Sequence, residues 1–364
     1  MKTIFSVSYR QPRKGYTLIE FIALLIIIAI VIGMLIPAVQ AAREASRRNR
    51  CTNNLKEIGR SIHEFHQSQK ALPPICLFVH RPAIFSLLLP YLHYQELYDK
   101  MVADGHFRKA EAHADPKVVI SDRKWFVGLE PAEKAAFASI TTFLCPNRHQ
   151  APAMTLDLNV MCAGPLADYA GLVVTIDGKR AEWHHFSAIG ANERYRRNFE
   201  VSPLRLPTLA FCPELEKPGS TAGHSRSIMN WSFTDKMDRW ADGTSNQFIF
   251  AEKHIPKWAI NGDTTEKASW DGGWHCVFFA TSAGNTARLV PLKGNLRGFN
   301  QEWPPPNQKF ENQDELQHLI GSAHPGILAN VLVGDGSVRP LWLDMEPEMI
   351  WRLTHVKGIA IELP

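Results

Sequence analysis

The residues able to do chemistry are spread thinly along 364 positions. Six are cysteines, at Cys51, Cys76, Cys145, Cys162, Cys212 and Cys276, and none stands in a Cys-x-x-Cys pair. Neither a zinc ribbon nor a thioredoxin-like motif is therefore encoded. Six thiols allow fifteen disulfide pairings in an oxidising compartment, and buried free thiols are the alternative. His63 and His66 flank Glu64 at helical spacing. The run is not His-Glu-x-x-His, and no companion ligand follows it, so no metal is expected there. His184, His185 and His254 also lack partners at ligand spacing. No Gly-x-Ser-x-Gly elbow or phosphate-binding loop occurs. Trp183, Trp231, Trp240, Trp270 and Trp274 could line a carbohydrate cleft, but core packing is the commoner use of tryptophan. No catalytic residue is expected, and the chain reads as a non-enzyme.

Two stretches read as turns. In "ADGTSN" (241–246), Asp242 and Gly243 supply turn chemistry. Asp242, Thr244, Ser245 and Asn246 offer oxygens that could ligate calcium, without the acid count or spacing of an EF-hand. Around Asp335-Gly336, apolar residues alternate from Asn330 to Trp342, the pattern of a hairpin whose turn needs a glycine at positive φ. Asp335 and Gly336 are turn residues in this reading, not catalytic ones.

Glu20 is the acid that most needs explaining. It stands at the mouth of a nineteen-residue uncharged run, Phe21 to Val39. Such a run just spans a bilayer core of about 30 Å, and an ionisable residue at its mouth is a functional candidate. The run is longer than the apolar part of a typical signal peptide, and the small residue Gly15 precedes it instead of following it. Lys2, Arg10, Arg13 and Lys14 make the first fifteen residues +4, equal to the net charge of the whole chain. The remainder is thus balanced, and composition requires no basic surface for nucleic acid. Arg43, Arg47, Arg48, Arg50 and Lys56 follow the apolar run, so charge alone does not orient it.

Positioning these residues falls to one long helix. Leu55, Ile58, Ile62 and Phe65 recur at spacings of three and four, one apolar stripe on a helix that ends near Gln69, before "LPP". Pro37 is expected to kink it. Short apolar runs, "AGLVVTI", "NQFIFAE", "HCVFFA" and "NVLVGDGSVRPLW", supply strands. The expected class is α+β: a long N-terminal helix, transmembrane in its first half, packed on an antiparallel β-sheet head. Four segments follow: a leader (1–15), a transmembrane helix (16–40), its extramembrane continuation (41–70) and a globular head (71–364).

"RKGYTLIE" (13–20) followed by the apolar run resembles the processing site of type IV prepilins and type II secretion pseudopilins. The resemblance implies a pilin-like fold and cleavage between Gly15 and Tyr16 by a prepilin peptidase, which also methylates the new amino terminus at Tyr16. It implies that Glu20, fifth in the mature chain, pairs with the amino terminus of a neighbouring pilin-like subunit. A charge pair is far stronger in low dielectric than in water. It further implies a single-pass inner-membrane protein with a cytoplasmic N-terminus and a periplasmic or surface-exposed head. A second resemblance covers most of the rest. "RCTNNLKEIG", "LLLPYLHYQELYDK", "FLCPN", "ADYAG", "ADGTSNQFIFAEK" and "GSAHPGILANVLVGDGSVRPLW" are similar, in order, to a large bacterial family of prepilin-like proteins with a domain of unknown function. Its signature is a His, nine residues and Asp-Gly. Here His324 and Asp335 are separated by ten, which sets this chain apart from any role needing that exact distance. A structural subunit is the function these resemblances imply. A membrane-tethered module that binds glycan or another extracellular ligand is the alternative.

Overall fold

The structure is a computed structural model that describes residues 17–77, 81–107, 122–155, 163–174, 200–211, 228–255, 287–290 and 320–356. It forms two compact units, Met1–Ser46 and Arg47–Pro364. The first is the N-terminal part of helix α1 (Leu18–Gln69), which continues through Pro37. Its large apolar side chains, from Leu18 through Val39, are exposed. An 18-residue window of this helix is apolar enough to cross a membrane, and none of that window is buried by the protein.

The second unit contains the rest of α1, and the expected stripe does its packing. Leu55, Ile58, Ile62 and Phe65 are all buried, and Cys51 extends the stripe by one more turn. Each such aliphatic or aromatic side chain contributes about 1.5–3 kcal/mol when fully removed from water. Among the described residues, the remaining α-helices are α2 (Ile84–Leu88), α3 (Gln95–Ala103), α4 (Asp122–Gly128), α5 (Pro131–Ala138) and α6 (Pro347–Thr354).

Nine strands are described: β1 (Met154–Thr155), β2 (Gly164–Pro165), β3 (Tyr169–Val174), β4 (Thr208–Phe211), β5 (Ile228–Ser232), β6 (Phe248–Glu252), β7 (Ala287–Val290), β8 (Ala329–Val333) and β9 (Val338–Leu341). β1 pairs with β2 and β4 with β5. The central sheet runs β7-β3-β6-β8-β9. The class is α+β, as expected, but the sheet is mixed: β3–β6, β6–β8 and β8–β9 are antiparallel, whereas edge strand β7 lies parallel to β3. The "HCVFFA" run falls outside the described residues.

The sheet is covered on both faces. Leu332, Phe250, Tyr169 and Val173 join the core that contains the α1 stripe, whereas Val331, Val333, Leu172 and Val174 pack with Ile350 and Trp351 of α6. This explains why β8 is buried at every position, although its sequence alternates around a hairpin turn. Gly59 permits the close approach of α1: a Cβ there would lie 2.8 Å from Leu332 Cδ1. One turn on, the His63 Nε2–H donates to the Gly334 carbonyl at 2.9 Å.

Candidate functional site

Gly15 and Tyr16 lie outside the described residues, but the start of α1 is described. Thr17 and Glu20 bond each other reciprocally. The Thr17 N–H and Oγ1–H donate to Glu20 Oε2 at 2.8 and 3.0 Å, and the Glu20 N–H reaches Thr17 Oγ1 at 3.4 Å. Thr-Leu-Ile-Glu is thus a Ser/Thr-x-x-Glu capping pair, which satisfies donors that a helix N-terminus otherwise leaves open. Within a single chain, Glu20 already has a partner.

Turns occupy residues 241–246 and 334–336. In the β8–β9 hairpin, Gly336 adopts φ +85°, and the Ser337 N–H donates to Asp335 Oδ1 at 2.9 Å. Burial would raise the Asp335 carboxyl, but its bonds to Ser337 and Ser245 prevail and hold it below the usual carboxylate range. Gly243 has φ +79°. Two backbone carbonyls around it are engaged by the protein: Asn246 Nδ2 donates to the Asp242 carbonyl at 3.1 Å, and Arg339 Nη2 to the Ser245 carbonyl at 2.9 Å. That arrangement serves a turn. His324 and Asp335 are not brought together. They flank opposite ends of β8, and the surplus residue of "HPGILAN" falls in the loop before that strand.

His324 meets three residues from elsewhere in the chain. Cys51, Cys145, Glu252 and His324 are completely buried, and their donor atoms all lie within 4.8 Å of one another. Among the described residues, this is a group of side chains able to hold a metal ion. The Cys51 and Cys145 sulfurs are 2.9 Å apart, and both thiols are free. His324 Nε2 lies 3.1 Å from Cys51 Sγ, 3.7 Å from Cys145 Sγ and 3.9 Å from Glu252 Oε1.

Each donor is positioned by its own element. Cys51 occupies the buried stripe of α1. Cys145 opens a turn in which its carbonyl accepts from the Arg148 and His149 N–H groups at 2.8 and 3.0 Å. The buried Asp168 carboxylate pins that turn, accepting from the Cys145 N–H at 2.6 Å and contacting His149 Nδ1 at 3.0 Å and Arg148 Nη1 at 3.8 Å. Burial alone would raise the Asp168 carboxyl, but His149, Arg148 and the Cys145 N–H outweigh it and hold it low. Glu252 ends β6 beside its cross-strand neighbour Tyr169. Its carboxylate accepts from the Asn330 N–H at 2.9 Å and Asn330 Nδ2 at 3.1 Å. His324 is set by its own N–H donating to Ser322 Oγ at 3.1 Å, and by Asn147 Nδ2 at 3.0 Å from Nδ1.

The two sulfurs titrate as a pair. Cys51 donates to Cys145, which lowers the Cys145 thiol against the effect of burial, aided by His324 and Arg148. As the donor beside that sulfur, Cys51 is pushed up, and burial adds to the rise. Burial likewise raises the Tyr169 hydroxyl, next to the same thiols.

Sequence reasoning singled out His324 as a motif residue and left Cys51, Cys145 and Glu252 without a role. One signal was present: Cys51 lies four residues before Leu55, on the same helical stripe. His63 and His66 do not join the cluster. His63 serves the β8–β9 hairpin, and the half-buried His66 is depressed by desolvation first and by His63 second. Trp240 is core, with its Nε1–H donating to the Pro203 carbonyl at 3.3 Å, and Trp231 packs against that core. Trp183, Trp270, Trp274, Cys162, Cys212 and Cys276 fall outside the described residues.

The chain belongs to the family described as protein of unknown function (DUF1559), which matches residues 40–347. No curated protein and no solved structure matches it.

Proposed function

We propose that this chain is a structural pilin-like or pseudopilin-like subunit of a membrane-rooted filament or secretion apparatus, without catalytic activity. A prepilin peptidase cuts between Gly15 and Tyr16 and methylates Tyr16. The apolar half of α1 sits in the inner membrane, with the N-terminus cytoplasmic and the head outside the cytoplasm. The observation that carries this reading is the N-terminal half of α1: a membrane-length apolar surface, wholly exposed, led by one acid. Side-by-side packing of such helices in lipid gives each Glu20 a neighbour's amino terminus to pair with, offsetting the cost of placing either charge there.

The Thr17–Glu20 capping pair favours a second reading. Capping gives Glu20 a purpose in a solitary helix, so a tethered binding module would retain it as well. Glu20→Gln separates the two, because a glutamine still completes a capping pair but carries no charge. In the structural-subunit reading, Glu20→Gln is processed and inserted yet no longer crosslinks to neighbouring subunits. Undiminished crosslinking by Glu20→Gln contradicts that reading and leaves the tethered module.

A further inference from the structure

Five stretches far apart in sequence converge on one point. "RCTNNLKEIG" brings Cys51, "FLCPN" brings Cys145, "ADGTSNQFIFAEK" brings Glu252 and "GSAHPG" brings His324, while "ADYAG" supplies Asp168 and Tyr169 beside them. We propose that Cys51, Cys145, Glu252 and His324 form a closed site for one zinc-class divalent cation, which fastens α1 to the sheet. Two sulfurs, one imidazole nitrogen and one carboxylate oxygen are a donor set for zinc, and four protein ligands with no open position mark a structural site, not a catalytic one.

The geometry is close to what the ion requires. Metal–sulfur bonds of about 2.3 Å and metal–nitrogen or –oxygen bonds of about 2.0–2.2 Å place tetrahedral donors about 3.4–3.8 Å apart. The His324–Cys145 separation, 3.7 Å, falls within that range, and the His324–Glu252 separation, 3.9 Å, lies just above it. Cys51 lies too close, 2.9 Å from Cys145 and 3.1 Å from His324, so its sulfur must retreat while the Glu252 carboxylate draws in. All four donors already lie within 4.8 Å of one another, so shifts of about 1 Å bring them to tetrahedral spacing. Loading releases the two thiol protons to solvent and transfers no electrons, leaving the cation bound by two thiolates, a carboxylate and a neutral imidazole.

The neighbouring residues supply what such a site needs. Glu252 is oriented by two bonds from Asn330, and the Cys145 turn is held by Asp168. Asn147 faces the ring nitrogen opposite the sulfurs. With Asn147 Nδ2 donating to Nδ1, the ring proton sits on Nε2. A cation on Nε2 moves that proton to Nδ1, and Asn147 must then give up its 3.3 Å bond to the Ala323 carbonyl and turn its amide for Oδ1 to accept it. Asn147 is thus a positioning residue for the ring. A disulfide between Cys51 and Cys145 would use only two of the four groups and would leave Glu252 and His324 converging on it without purpose.

The test uses the full chain purified in detergent, reduced, stripped with a chelator and titrated with Co2+ under anaerobic conditions. The proposal expects one Co2+ per chain, with thiolate-to-cobalt charge transfer and tetrahedral ligand-field bands, displaced by one equivalent of Zn2+. Cys145→Ser should diminish the charge-transfer signal, and the Cys51→Ser, Cys145→Ser double variant should abolish it. Asn147→Ala, which removes no ligand, should weaken binding by about 10–100-fold. Three results would each overturn the proposal: no Co2+ uptake by the reduced, folded chain; a charge-transfer signal that survives loss of both thiols in the Cys51→Ser, Cys145→Ser double variant and so comes from other cysteines; or a Cys51–Cys145 disulfide in protein taken directly from native membranes.

Discussion

Two carboxylates of this chain stand in opposite surroundings. At the N-terminal end of α1, Glu20 is exposed beside an apolar surface, and its partner lies three residues away in sequence. At the end of β6, Glu252 is completely buried, and its neighbours come from positions 51, 145, 324 and 330. One acid is served by local helix chemistry and is free to meet something outside the chain. The other is enclosed by the fold and can act only within it. The apolar surface likewise divides: Leu18 through Val39 face outward, whereas Cys51 through Phe65 are consumed by the sheet.

If this contrast is right, damage should be large in the second unit and small at the N-terminal end of α1. The greatest effect is expected from Asp168→Ala, which leaves Arg148 and His149 without their buried counter-charge and frees the Cys145 turn. It should cost about 3–5 kcal/mol, read as a lowered midpoint when the detergent-solubilised chain is unfolded in denaturant. Leu55→Ala, on the buried stripe, should cost about 2–5 kcal/mol in the same measurement. Gly334→Ala comes next, because a Cβ would lie 2.8 Å from the Thr244 carbonyl and 2.5 Å from the Trp240 ring. Crowding of that kind costs about 1–3 kcal/mol. Thr17→Ala removes only a cap, worth about 0.5–2 kcal/mol of local helix stability, and should leave the head's unfolding midpoint unchanged. A midpoint that falls as far for Thr17→Ala as for Asp168→Ala would erase the distinction.

Acid should act on the same region. Asp168 is held below its ordinary value in the folded chain, so the unfolded chain takes up its proton first as pH falls. Its contribution is present above the ordinary carboxylate range and is lost as pH drops through the lowered folded value. His66 behaves in parallel at higher pH: it too is depressed on folding, so stability declines as pH falls below the ordinary histidine value. Denaturant midpoints measured against pH should show a first loss that is absent in His66→Gln and a second, at lower pH, that is absent in Asp168→Asn.

The parts legible in sequence are those in which one short stretch determines its own geometry. Leu55, Ile58, Ile62 and Phe65 needed only the helical period. Asp335-Gly336 needed only the requirement of a tight turn for positive φ, and Gly243 the same. The buried cluster was not legible, because Cys51 and Cys145 are 94 residues apart and Cys51 and His324 are 273 apart. Nothing in local periodicity pairs positions so distant, and with six cysteines the correct pair was one among many. The parallel placement of β7 was hidden for a related reason: strand direction is set by the path of the intervening chain, not by the apolar residues of the strand. The Thr17–Glu20 cap is of the legible kind, since Thr-x-x-Glu lies within one helical turn.

The claim that ties these regions together is that the chain is processed at Gly15 and packs through its exposed helix. Mass spectrometry of the N-terminal peptide of protein isolated from native membranes tests it most directly. The account predicts a chain that begins at Tyr16 and carries one methyl group on its α-amine. A peptide that still contains Arg13, Lys14 and Gly15, with an unmodified amine at the start of the chain, would contradict it.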